Sequence, residues 1–540
     1  MCDRLQVVRS SRHVARKRAT YRFALCDQAR SHRGESTRAP VVGGEVYAAM
    51  VCLTTPCSTS RPVKLRRGFA CGVLACWLWF GAGCASVPNT DFLKHTYATR
   101  NAEFKTAWGP IPQQTSAAIV AELKRKAGNL DILDRQIAIE QAVVGHPLVL
   151  GNKVALLLDG PATYAAMLAA IHAARSTINL ESYIIDDGRM GQVFAEALLE
   201  RSATGVEVNV IYDSLGAFKT DKEFFERLRR GGIRVVEFNP VNPFVAKKRW
   251  AINHRDHRKL LVVDGRTAFL GGINIDDVYS SGSSSSGGGS SGGFSSGGSG
   301  SSSGGKDKER RSGWRDTDIE IDGPVVADFQ KLFLTTWEKQ HGPPLAQDKY
   351  FPVIPPQGNA IVRAIGSTPD DPYSAIYLTL MAAITNAQRE IYITNAYFVP
   401  DPQLVAALID AAKRGVDVRL ILPSTTDSRS AAYAAHSHYT ELLQGGVKIY
   451  ERRAALLHAK TAVIDGVWSC VGSSNLDWRS AVDNDEVNAI VLGREFAETM
   501  RAAYALDQAK SDMIDLEHWR HRPLRDRVKE WFFHLFGRLL

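Results

Sequence analysis

At 540 residues, with 45% apolar and 9% aromatic content, the chain can bury large cores and is not a disordered protein. Its formal charge is +9, but residues 1–83 carry 14 Lys and Arg against 4 Asp and Glu, which leaves 52 against 53 beyond them. The body is therefore near neutral and lacks the global basic field that favours nucleic acid. Only Cys470 lies beyond residue 84, so the body has neither a disulfide framework nor a cysteine metal site.

Residues 1–60 are Arg-rich without apolar periodicity and read as a non-native or disordered extension, with translation starting near Met50 or later. Arg61, Lys64, Arg66 and Arg67 then precede the uncharged run 68–83. Small residues end that run just before Cys84. A basic region, an apolar region and a small-residue boundary over 61–84 form the pattern of an export signal; a signal anchor is the alternative, although the run is short for a spanning helix. Gly81-Ala82-Gly83-Cys84 resembles a bacterial lipobox, with Gly81 where Leu is usual, which makes Cys84 the candidate lipidation site. Ala85 after it points to sorting towards the outer membrane. Residues 85–149 read as a linker and helical segment.

The body then repeats itself. One unit (150–345) runs YAAMLAAIHAARSTINLESYII, VFAEALLERSATGVEVNVIYD, FFERLRRGGIRVVEFNP and HRDHRKLLVVDGRTAFLGGIN. The other (346–515) answers with YLTLMAAITNAQREIYITNAYF, LVAALIDAAKRGVDVRLILP, YTELLQGGVKIYE and LLHAKTAVIDGVWSCVGSSN. Each alternates helices of period 3.6 with short β-branched runs. This predicts an α/β fold of two αβα sandwich halves with mostly parallel sheets. Because each half carries only half of the chemistry, the two are read as a pseudo-symmetric pair fused around one active site rather than as independent tandem domains. Ser280 to Gly305 is almost wholly Ser and Gly and is expected to be a flexible insertion, either a tolerated surface loop or a lid. At the end (516–540), Leu524, Val528, Trp531, Phe532, Leu535 and Leu539 fall near one helical face, which suits an interfacial amphipathic helix or a packed terminal one.

The chemistry is concentrated in two H-x-K-x4-D motifs. His257, Lys259 and Asp264 precede Gly271-Gly272-Ile273-Asn274, and His458, Lys460 and Asp465 precede Gly472-Ser473-Ser474-Asn475. Positions i and i+2 of a strand share a face, so each His and Lys should project into one cleft. Lysines and Asn amides can hold the oxygens of a phosphodiester while an imidazole reaches phosphorus. Two imidazoles supply the nucleophile and the general acid/base that displacement with retention requires. His254 stands beside the first motif as a lesser candidate or a surface residue. Cys470 reads as a core residue, and Asp186-Asp187 and Asp276-Asp277 as turns rather than a cation site.

These motifs resemble those of the phospholipase D superfamily, and within it the bacterial cardiolipin synthases, over about residues 150 to 515. The resemblance implies a phosphatidyl-histidine intermediate, no metal and no cofactor, with both motifs lining one site. It implies His257 as nucleophile and His458 as general acid/base, the opposite assignment staying open, with Lys259, Lys460, Asn274 and Asn475 binding phosphate. It further implies an acid downstream of each histidine that orients it. Glu486 matches that position in the second half and Asp316 is its first-half counterpart, with Asp318 as rival, while Asp264 and Asp465 are read as supports at the strand ends. The expected partners are phospholipids (phosphatidylglycerol, with phosphatidylethanolamine a second donor) and a membrane surface, for a chain that works as a monomer and binds no nucleic acid. Cardiolipin formation is the leading reading; hydrolysis to phosphatidic acid, nuclease action and non-catalytic lipid binding are the others. The expected location is the bacterial cell envelope, at the outer membrane or the periplasmic face.

Overall fold

The computed structural model describes residues 102–128, 132–242, 252–283 and 313–539. The expectations for the N-terminal extension, the export signal, Cys84 and most of the Ser/Gly insertion lie outside these residues.

Among the described residues, fourteen principal strands build the body, seven per half. In the first half these are β1 (Leu148–Leu158), β2 (Thr177–Ser182), β3 (Glu207–Asp213), β4 (Arg234–Phe238), β5 (Lys259–Val263), β6 (Thr267–Gly271) and β7 (Thr317–Asp322). In the second they are β8 (Ala360–Ser367), β9 (Glu390–Asn395), β10 (Asp417–Pro423), β11 (Lys448–Arg452), β12 (Lys460–Ile464), β13 (Trp468–Gly472) and β14 (Asn484–Leu492). Pairing runs β1-β7-β6-β5-β2-β3-β4 in the first. The second repeats it as β8-β14-β13-β12-β9-β10-β11. The counterparts β1 and β8 pair with each other antiparallel, so the two sheets join at the axis that relates them.

The α/β architecture is as expected, but the sheets are more mixed than the predicted mostly parallel arrangement. Within these two sheets only β2–β3–β4 and β9–β10–β11 run parallel. The other pairings within each half are antiparallel, and for β5–β6 and β12–β13 this follows because each motif strand turns straight back on itself. Asp264-Gly265 and Asp465-Gly466 both adopt left-handed φ (52° and 60°, 53° and 63°), the geometry of a tight hairpin turn. Arg266 N donates to the Val263 carbonyl at 3.0 Å and Val467 N to the Ile464 carbonyl at 3.2 Å, closing the turns. So short a connection joins only antiparallel neighbours.

Strands β2, β5 and β14 are buried at every residue; β5 reads as a near-continuous apolar run, whereas β2 and β14 also bury polar side chains, among them Asn179, Glu181, Asp485 and Glu486. The helices Asp159–Ala173, Arg189–Ala203 and Lys222–Arg230 cover the outer face of the first sheet through Tyr164, Met167, Phe194, Leu198, Phe224 and Phe225. Between the halves lies a shared core, in which Phe329, Phe333 and Trp337 of the helix Val326–Lys339 meet Val463, Val471, Val487 and Met500 of the second half. The segment before β1 contributes helices to the body. Its helix Ile132–Val144 packs into the second-half core, and the Trp468 indole donates to Glu140 Oε1 at 2.7 Å.

Candidate active site

His257 stands just ahead of β5 and Lys259 is its first residue; His458 and Lys460 take the same places at β12. All four are buried, none more than 9% exposed. Each lysine ammonium donates to the carbonyl of its own histidine, Lys259 to His257 O at 2.6 Å and Lys460 to His458 O. An ammonium has three donors, so each keeps others for a ligand.

Contrary to the expected pairing with the upstream histidine of the same half, the acids cross over between the halves. Glu486 of β14 lies 3.0 and 3.1 Å from Nδ1 of His257, and Asp316, just ahead of β7, lies 2.8 Å from Nδ1 of His458. The backbone enforces the exchange. His257 N donates to Asp485 O at 2.9 Å and His458 N to Arg315 O at 2.7 Å, so each histidine is stitched to the residue preceding the other half's acid. With Nδ1–H given to a carboxylate, Nε2 of each ring is left as the reactive nitrogen.

Asp318, the rival of Asp316, takes a different task. It accepts from Ile273 N at 3.1 Å and so fastens the Gly-Gly-Ile-Asn turn. Its counterpart Asn488 holds Ser474 N at 3.4 Å in the same way. Asp264 receives the N–H groups of Arg175, Ser176 and Thr177, and Asp465 those of Gln388, Arg389 and Glu390. Both therefore clamp the loop that enters the neighbouring strand. Asn274 has its amide oxygen on Ile184 N (3.1 Å) and an N–H on the Tyr279 hydroxyl (3.2 Å), whereas Asn475 Oδ1 is buried with no hydrogen-bond partner among the described residues.

His254 is bound to Asp485 at 2.8 Å. Asn488 Nδ2 donates to the Cys470 sulfur at 3.2 Å, and burial pushes that thiol up to about 12. Asp277 and Asp276 receive backbone N–H groups at the starts of short turns and helices, and Asp187 receives Asp221 N. Among the described residues no group of three or more His, Cys, Asp or Glu is placed to hold a metal.

A family model described as cardiolipin synthase, PLD-like domain, matches residues 167–282 and 380–506, the two stretches that carry these motifs. A cardiolipin synthase of Geobacillus kaustophilus is 35% identical over 399 residues, spanning 73% of this chain and 74% of that protein. The chain belongs to the cardiolipin synthase family. The cardiolipin synthase A of Pseudomonas entomophila is 34% identical over 378 residues, covering 69% of this chain and 72% of its own length. Among solved structures, the phosphatidylserine synthase of Haemophilus influenzae superposes with a TM-score of 0.54 at 11% identity over 75% of this chain and 100% of that one, a likeness of fold.

In this cardiolipin synthase family site the electrostatics are set by burial. Desolvation is the largest influence on His257, opposed by Glu486 and aided by Lys259, and it brings the imidazole down to about 4. His458 is likewise lowered to about 4 by burial and then Lys460, against Asp316. Burial also lowers Lys259 to about 7 and Lys460 to about 8, with Glu486 and Asp316 respectively resisting. Burial alone would raise Glu486, but His257, Lys259 and Ser473 outweigh it and hold the carboxyl at about 2. Two neutral imidazoles thus face two carboxylates, and an entering anion would favour the charged form of both lysines.

Several residues of this family site escaped the motif reading. Ser480, together with Ser473 of the motif itself, donates to Glu486, Ser480 at 2.7 Å, so the acid is itself fixed. The Tyr279 hydroxyl lies 3.2 Å from His458 Nδ1, and the Trp314 ring centre lies 5.3 Å from that imidazole. Tyr183 and Tyr397 hold matching places in the repeat, S-Y and A-Y, and set their rings 5.3 and 6.1 Å from His257 and His458. That repetition was the available signal. Arg258 breaks the symmetry, since it donates to Glu486 O (3.1 Å) and Thr336 Oγ1 (2.7 Å), where the second motif has Ala459.

Proposed function

We propose that this protein transfers a phosphatidyl group from one phospholipid to the glycerol headgroup hydroxyl of another, forming cardiolipin, with phosphatidylglycerol as substrate and phosphatidylethanolamine as a second donor. The observation that carries the reading is the pair of histidines, each held at Nδ1 by the carboxylate of the opposite half. The names of the relatives support the lipid chemistry.

In the proposed cycle Nε2 of His257 attacks phosphorus and the bond to the departing headgroup alkoxide breaks. His458, as imidazolium, gives that alkoxide a proton. The acceptor hydroxyl then gives its proton to the now neutral His458 and attacks phosphorus, releasing His257. Burial keeps both imidazoles neutral at rest, so the proton on His458 arrives with the phosphodiester, whose negative charge favours the imidazolium. Lys259, Lys460 and Asn475 hold the non-bridging oxygens, and Asn274 supports His458 through Tyr279. Asp264 and Asp465 act as structural clamps.

One chain supplies both motifs, which supports a monomer working as an internal pseudo-dimer. No helix among the described residues is long and apolar enough to cross a membrane. The basic and apolar pattern at 61–84 supports attachment to the cell envelope there, as a cleaved signal with a lipid on Cys84 or as an anchor, at the outer membrane or the periplasmic face.

The test is incubation of purified protein with phosphatidylglycerol, with and without phosphatidylethanolamine, and mass spectrometry of the lipids. Cardiolipin is expected. Phosphatidic acid alone would make the enzyme a hydrolase, and unchanged lipid would leave a binding protein.

A further inference from the structure

We propose that the C-terminal helix is a bilayer-docking face, which seats the mouth of the site on an anionic phospholipid surface. The inference rests on the reading of the substrates as bilayer lipids and adds where the protein touches them.

The helix, Leu524–His534, is held by one side only. On that side Phe533 stacks on Tyr433 with ring centres 5.8 Å apart, and the buried Glu530 accepts from Arg522 at 2.9 and 3.0 Å. On the other side Leu524 (71% exposed), Val528 (56%), Trp531 (63%), Phe532 (49%) and Leu535 (59%), with Phe536 just beyond, are left in solvent. Their spacings of three and four residues set them along one stripe. Scattered exposed hydrophobics are ordinary, but a contiguous stripe of this kind marks an interaction surface.

Charge selects the occupant. Arg525, Arg527 and Arg538 are exposed around the stripe, Arg525 beside the half-buried Asp526 at 3.4 Å, while Glu530 is buried against Arg522. An apolar stripe bordered by arginines complements acyl chains and anionic headgroups, as in helices that lie in the membrane interface.

Position ties the stripe to the chemistry. A Cβ at Gly537 would stand 3.4 Å from Val399, two residues after Tyr397, whose ring faces His458. The Arg538 guanidinium lies 4.6 Å from the Trp478 ring centre, at the start of the short helix whose Ser480 donates to Glu486. The first half adds exposed apolar groups of its own. Phe218 (73% exposed) and Leu215 (38%) flank Gly216, which packs on the backbone of Tyr183, the residue set against His257.

The test uses the full chain and the double variant Trp531→Glu/Leu535→Glu. In wild type, hydrogen exchange across 524–536 should slow on adding phosphatidylcholine vesicles that contain phosphatidylglycerol, and less with phosphatidylcholine alone. The variant should lose transfer activity on such vesicles by at least about tenfold. It should keep it within about twofold on short-chain phosphatidylglycerol below its micelle concentration, where no surface needs to be found. Unchanged exchange on vesicles, or equal loss on both substrates, would overturn the proposal. So would a variant that differs only in oligomeric state, because the stripe would then belong to a second copy. Protection by vesicles without turnover of either lipid would keep the docking face and sink the transferase reading instead.

Discussion

Glu486, carried by β14 of the second half, holds Nδ1 of His257, which precedes β5 in the first, with both carboxylate oxygens at 3.0 and 3.1 Å. Asp316 returns the arrangement to His458. Neither half owns a complete histidine–carboxylate pair, so the chemistry exists only when the two sheets are docked, and the repeat cannot be divided without dismantling it.

Glu486→Gln and Asp316→Asn should each lower kcat by about 10² to 10⁴, since an amide can hold the wrong tautomer and cannot stabilise an imidazolium. Melting temperatures close to wild type should accompany that loss. A near-normal kcat in either variant would remove the acids from the mechanism.

His257→Ala and His458→Ala should each abolish turnover, and the covalent adduct tells the two apart. Rapid quenching and peptide mass spectrometry should find the phosphatidyl group on His257 in the His458→Ala variant, where the nucleophile is intact but its release is blocked. An adduct on His458 in His257→Ala would reverse the assignment.

Binding should take up protons. The free imidazoles sit at about 4 and the lysines at about 7 and 8, chiefly through burial, and an anionic ligand raises all four. Raised values mean more bound protons in the complex, so affinity for a phosphonate analogue of phosphatidylglycerol should tighten as pH falls from about 8 to about 5. Calorimetry in buffers of different ionisation enthalpy reads the uptake directly; proton release would contradict the buried, neutral resting state.

Asp264→Ala and Asp465→Ala should cost roughly 2–4 kcal/mol of stability each, because backbone N–H groups at the strand entry lose a charged acceptor. Activity per folded molecule should stay within a few-fold. Denaturant melts and active-site titration separate the two effects, and a specific loss of kcat would place these carboxylates in the chemistry.

Asp318→Asn should leave activity intact and raise the melting temperature, more at pH 8 than at pH 4. Burial, followed by the neighbouring Asp316, pushes the Asp318 carboxyl well above its usual range. A carboxyl raised on folding weakens the fold as pH climbs from its unfolded value towards its folded one, and the amide at Asn488 already performs the same task without titrating. A fall in melting temperature would show that Asp318 is held ionised.

Much of this protein was determined by its sequence alone. The repeat, the helix and strand content, the two motifs and the placing of each His and Lys on one face follow from local periodicity, because the burial of a face is written residue by residue along an element. The turns Asp264-Gly265 and Asp465-Gly466 were also legible, yet the mostly parallel sheet was expected because the alternation of helices and strands outweighed them. Only the tertiary structure decided which acid serves which histidine, that Asp318 fastens a turn, that Tyr279 reaches His458 and that Arg258 anchors the strand of Glu486. Those contacts join residues up to 229 positions apart. They depend on how β1 meets β8 and how the halves clasp each other, and the low imidazole values depend on the water that this docking excludes, which no stretch of sequence carries by itself.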